Sequence, residues 1–98
     1  MDTPYAFVAR LEAKPERSED VAALLASALP LAQAETETID WYAVRTSPTT
    51  FWIFDTFATE AGRQAHINGE IAAALMANAD ELLAEAPQIL PADVLATK

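Results

Sequence analysis

The sequence predicts an α+β fold: a single antiparallel sheet in βαββαβ order with its helices on one face. Three observations predict it. Strand-like runs rich in β-branched and aromatic residues cover 5–13, 38–46 and 50–57, and a short run suited to a last strand covers 92–97. Apolar residues three and four apart mark two helical regions, one from Val21 to Ala32 and one from Ile71 to Leu83. The order of these segments is that of a ferredoxin-like sheet.

The first strand alternates Tyr5, Phe7, Ala9 and Leu11 on one face with Ala6, Val8, Arg10 and Glu12 on the other, and Lys14-Pro15 ends it. The first helix has Ser18 as its expected cap, with Glu19 and Asp20 in the first turn, where the positive helix end favours acids. Pro30 lies inside the helical pattern and removes a backbone donor, which predicts a kink or a break into two pieces. Ser47-Pro48-Thr49 separates the second and third strands as a hairpin turn. A turn over Ser47 to Thr50 sets Arg45 opposite Trp52, Ala43 opposite Phe54 and Tyr42 opposite Asp55. Trp41, Ala43, Arg45, Trp52 and Phe54 then share one face, and Tyr42, Val44, Phe51, Ile53, Asp55 and Phe57 the other. Neither face is polar enough to be solvated, so both need covering.

The stretch FWIFDTFATEAGRQAHING, residues 51–69, organises the rest. Thr59 is the expected cap of a short helix, Asn68-Gly69 its stop through a left-handed glycine, and His66 falls in its last turn. A longer helix is expected over 70–86, ended by Pro87.

Composition narrows the function. The 98 residues form one expected domain, 1–98, with a modest buried fraction, so a partner subunit would help. Zero cysteines exclude disulfides, thiolate metal sites and cysteine nucleophiles, and one histidine leaves any metal site to carboxylates. No glycine-rich dinucleotide loop is present, so no cofactor is expected. The net charge of -9 repels phosphate backbones and anionic surfaces, which argues against nucleic acid. The chain reads as having neither a membrane span nor a secretion signal, so the expected location is cytoplasmic.

The aromatic strand carrying an acid, the capped short helix and the late histidine resemble the antibiotic biosynthesis monooxygenase family of small dimeric α+β barrels. RLEAKPERSED at 10–20, AETETIDWYAV at 34–44 and DVLATK at 93–98 extend the resemblance over nearly the whole chain. Where such proteins usually show Pro-Gly, this chain has Pro15-Glu16 and Thr36-Glu37. The resemblance implies a homodimer with two sheets face to face, and a small aromatic or quinol-like substrate held between sheet and helices. It also implies oxygenation of phenols or hydroquinones without metal, flavin or haem, started by removal of a phenolic proton. A related branch degrades haem with an asparagine, a tryptophan and a histidine at positions where this chain has Ala9, His66 and Met76, so that activity is disfavoured.

Candidate residues follow. His66 is the one side chain that titrates near neutrality, either as a base or as a structural histidine at a helix C-terminus. Gly62, one turn earlier, is expected to leave room beside the imidazole. Asp55 is either a pocket acid with a raised pKa or a structural carboxylate paired with Arg10 or Arg45, unless Arg45 stacks on Trp52. The resemblance implies His66 as the base or an orienting donor, with Asp55 and Tyr42 an accessory pair and Asp55 the alternative base. Trp41, Tyr42, Trp52 and Phe54 are the candidate substrate pocket, or else core. The alternative function is a non-catalytic dimer that binds a small apolar molecule, since a fold does not fix an activity.

Overall fold

The computed structural model describes residues 2–98, and its sheet has the expected topology. Strands β1 (Tyr5–Glu12), β2 (Thr38–Arg45), β3 (Thr50–Phe57) and β4 (Gln88–Asp93) lie in the order β2-β3-β1-β4, every neighbouring pair antiparallel. Helices α1 (Ser18–Ser27) and α2 (Leu29–Ala34) connect β1 to β2; α3 (Glu60–Ile67) and α4 (Glu70–Leu82) connect β3 to β4. One sheet face packs on the helices. Ala9, Leu11, Phe51 and Ile53 meet Val21 and Leu25 of α1 and Leu75 and Leu82 of α4 in one buried cluster.

The helical break falls where Pro30 predicts it. The chain leaves α1 at Ala28, and Pro30 occupies the first turn of α2, where its missing N–H would have had no helical partner. Ser18 is not a cap. It is the first residue of α1, and its hydroxyl instead donates to the Pro48 carbonyl while accepting from Arg45 Nη2 at 2.9 Å, which ties the helix start to the hairpin loop. Both junctions lacking Pro-Gly form without any left-handed residue: Pro15–Arg17 is a 3-10 turn, and among the described residues no φ is positive.

The hairpin register differs by one residue from the expected one. Thr46 and Thr50 close the loop, so Ser47, Pro48 and Thr49 form a three-residue connection, and Arg45 pairs with Phe51, Ala43 with Ile53, Tyr42 with Phe54 and Trp41 with Asp55. A one-residue slip moves every side chain of a strand to the other face. Trp41, Ala43 and Arg45 therefore join Phe51, Ile53, Asp55 and Phe57 on the inner, helix-covered face. Tyr42 and Val44 join Trp52 and Phe54 on the outer face.

Two other boundaries shift. Helix α4 ends at Leu82, before Pro87, because the next residues pair with the end of β1: Leu83 bridges Ala13, and Ala84 N–H donates to the Glu12 carbonyl at 2.8 Å. The last strand runs Gln88–Asp93 and includes Pro91, which an edge strand tolerates. No helix of the described residues is long and apolar enough to cross a membrane.

Candidate functional site

The inner face of β3 is apolar except at Asp55, and the residue that answers this buried carboxylate is His66. Helix α3 starts where Thr59 Oγ1 accepts from the Gly62 amide at 3.0 Å, so His66, two turns on, faces the sheet. His66 Nε2 lies 2.9 Å from Asp55 Oδ2, and Nδ1 lies 2.6 Å from Glu35 Oε1, just beyond the end of α2. Thr38 Oγ1 donates to the same Glu35 oxygen at 2.7 Å. The three side chains form a line from the sheet interior outward: Asp55 is 1 % exposed and His66 8 % exposed, and Glu35 reaches the surface.

Both imidazole nitrogens face carboxylate oxygens, and a neutral ring has only one N–H to give. The doubly protonated ring satisfies both. Burial is the largest single influence on its pKa and pulls it down, but the hydrogen bonds to Asp55 and Glu35, with their charges, outweigh it and hold the pKa above that of free histidine. Phe57 and Phe7 flank the ring, with centroids 5.2 and 6.4 Å away. In that protonated form His66 is a buried imidazolium held between two acids, with no free lone pair with which to take a proton.

The glycines around it differ from the expected roles. At Gly69 φ is -92°, so no left-handed turn is made; a Cβ there would instead come 3.2 Å from the His66 carbonyl and 3.4 Å from Glu35 Oε2. A Cβ at Gly62 would first meet Glu37 Cβ at 3.1 Å, so that space adjoins Glu37 and not the imidazole.

Of the residues expected to act together, the structure brings His66 and Asp55 together and separates Asp55 from Tyr42. Tyr42 lies on the outer face, 59 % exposed, and cannot be an accessory to a carboxylate on the inner one. The cross-strand partner of Asp55 is Trp41, on the same face. Neither arginine pairs with Asp55: Arg10 binds Glu12 and Glu85, while Arg45 binds Glu19 and lies over the Phe51 ring at 4.9 Å, not over Trp52. Among the four pocket candidates, Trp41 and Tyr42 line a groove of about 420 Å³ between α1 and β2, whose walls include Leu25, Leu29 and Phe51. Trp52 and Phe54 lie on the outer face and line no part of it. A second cavity of about 400 Å³ opens beside His66 and Glu35, walled by Leu31, Ala34 and Ala65. Glu35 escaped sequence reading because it stands 31 residues from His66 in a run of acids with no pattern of its own.

Among the described residues no three His, Asp or Glu side chains are arranged to hold a metal ion; Asp55, His66 and Glu35 string out in a line and do not converge. Two buried polar atoms make no hydrogen bond to protein: Asp55 Oδ1 and Trp41 Nε1.

No family model matches the chain, and no curated protein does. Solved structures do. A Nitrosomonas europaea protein of unknown function is 56 % identical, with a TM-score of 0.96 over 99 % of this chain and 94 % of that one. A Mycobacterium tuberculosis protein is 18 % identical, with a TM-score of 0.85 over 97 % of this chain and 98 % of the other. A second Nitrosomonas europaea protein, provisionally named an antibiotic biosynthesis monooxygenase, is 14 % identical, with a TM-score of 0.83 over 94 % of this chain and 99 % of the other. The last two likenesses are likenesses of fold.

Proposed function

Since the chain belongs to the family of the Nitrosomonas europaea protein of unknown function and shares its fold with proteins named as antibiotic biosynthesis monooxygenases, we propose that it is a cytoplasmic, cofactor-independent monooxygenase of a small phenol or hydroquinone. The observation that carries the reading is the buried Asp55–His66–Glu35 line. Such an arrangement suits proton removal in a dry site, because Asp55 is buried against a hydrogen-bonding partner, His66, where a lone buried carboxylate would be expensive.

In this reading Asp55, and not His66, is the base. It takes the phenolic proton, and the electron-rich phenolate passes an electron to O₂. The resulting radical pair combines at a ring carbon bearing hydrogen, the peroxide takes back the proton from Asp55, and loss of water, made of the distal oxygen, that proton and the ring hydrogen, leaves a quinone. The balance is one phenol plus one O₂ to one p-quinone plus one water, with no outside reductant. His66 positions Asp55 and spreads the charge; Glu35 connects the pair to the surface.

The same reading includes a homodimer closed by the outer sheet face. Tyr42, Val44, Phe54 and Leu90 are exposed there, 39 to 59 % each, an apolar patch that a monomer leaves in water. A second copy offers the same patch, as an isologous interface requires.

Oxygen uptake over a panel of phenols and hydroquinones tests the activity. Protein-dependent uptake that Asp55→Asn reduces by about 10² or more is expected of a positioned base. Absence of uptake on every member moves the assignment to a non-catalytic dimer binding a small apolar molecule. That second reading is favoured by the closed hydrogen bonding of His66, which also suits a purely structural lock between β3, α2 and α3.

A further inference from the structure

Asp55 and Trp41 are opposite one another across β2 and β3, with side chains on the same inner face, and directly paired Cβ atoms in such a ladder are about 5 Å apart. One presents a buried acceptor, Oδ1, and the other a buried donor, Nε1–H, and neither makes a hydrogen bond to protein, including to the other. Native structures seldom leave such atoms unmatched. We propose that Trp41 Nε1–H and Asp55 Oδ1 are the two halves of a seat for one phenolic hydroxyl. The inference rests on the reading of Asp55 as the base and specifies where the substrate oxygen sits.

The chemistry of the pair selects the ligand. A hydroxyl oxygen can donate to Asp55 and accept from Trp41 at once. A carbonyl oxygen can only accept and would confront the carboxylate; an ammonium can only donate and would confront the indole N–H. In this scheme the aryl part lies in the groove of about 420 Å³ that Trp41 walls together with Leu25, Leu29 and Phe51. Deprotonation turns the hydroxyl into a phenolate that still accepts from Trp41. A quinone product in the same seat has lost the proton that Asp55 requires, so it leaves. Trp41 is a specificity-determining residue in this scheme, and Asp55 the catalytic one.

The test uses the two tryptophans as reporters, since the chain has only Trp41 and Trp52 and Trp52 Nε1 already donates to Thr46 Oγ1 at 3.0 Å. Uniformly ¹⁵N-labelled protein gives two indole N–H signals, and Trp52→Phe assigns the one that belongs to Trp41. Under nitrogen, phenol should shift the Trp41 signal and leave the Trp52 signal in place. Anisole, which has no hydroxyl proton, should bind at least about tenfold more weakly, because it leaves a buried acceptor unmatched. Trp41→Phe should narrow that preference. Equal binding of phenol and anisole overturns the seat, and so does a Trp41 signal that phenol does not move, the outcome if the pair holds only water. Phenol binding in the seat with no oxygen uptake would instead overturn the oxygenase reading and leave the seat standing.

Discussion

Adjacent residues of β3 show the two faces of this sheet at their most different. Asp55 points inward, polar and 1 % exposed, while Phe54 points outward, apolar and 39 % exposed. An ordinary half-buried strand reverses these choices. The inner face tolerates a buried carboxyl group because His66 Nε2 sits 2.9 Å away; the outer face exposes large apolar side chains, which the proposed homodimer would cover. Polarity along β3 is therefore the reverse of an ordinary half-buried strand's, and in the proposed homodimer the outer side is the one that associates.

The sharpest way to break the contrast is to remove the imidazolium. His66→Ala leaves Asp55 and Glu35 without their shared counter-charge, and a stability loss of about 3–5 kcal/mol is expected from urea midpoints. A change under about 1 kcal/mol would mean that the line of charges contributes little. Removing a ring from each face comes next. Phe51→Ala, on the inner face and 2 % exposed, should cost about 3–5 kcal/mol in any assembly state, because it opens a cavity. Phe54→Ala should leave the folding midpoint of dilute protein within about 1.5 kcal/mol and act mainly on self-association, read by sedimentation velocity. Equal losses from the two rings would place Phe54 in a monomer core and remove the reason for a dimer.

Proton linkage separates the faces more gently. The folded pKa of His66 is raised, so its contribution to stability is fully present below about pH 6.5 and fades as pH rises through the folded value. Unfolding midpoints should fall on the alkaline side of neutrality, and His66→Gln should flatten that limb; an identical profile in the variant would show that other groups cause it. The smallest effect is at the helix start that aims His66. Thr59→Ala should lose about 1 kcal/mol by removing the bond to the Gly62 amide.

The element order, the Thr59 cap, the break at Pro30 and the position of His66 in the last turn of its helix were all legible in the sequence, because each depends on residues a few positions apart. The hairpin register was not. Ser47-Pro48-Thr49 fits either a two-residue or a three-residue loop, and the choice is made by the Thr46–Thr50 closure, which local composition does not distinguish. That one residue decided whether Tyr42 or Trp41 would face Asp55. Glu35 was illegible for a different reason: a contact across 31 residues, set by where the chain leaving α2 passes α3, has no local sequence signal.

The break between α1 and α2 has a consequence for how such a site can diversify. Ala22, Leu25 and Ala26, on α1, wall the groove beside Trp41 together with Leu29 at the start of α2, whereas Leu31, Ala34 and Glu35, further along α2 and just past it, wall the cavity beside His66. With the first helix in two segments, the α1 part of the groove wall lies on a separate piece of backbone from Leu31 and Ala34 of the other cavity. Exchanging Ala22 or Ala26 for larger residues would narrow the groove from one segment while the glutamate that grips His66 stays anchored on the other. In the proposed reaction, substrate shape and proton chemistry could then be tuned separately, like two dials mounted on different shafts.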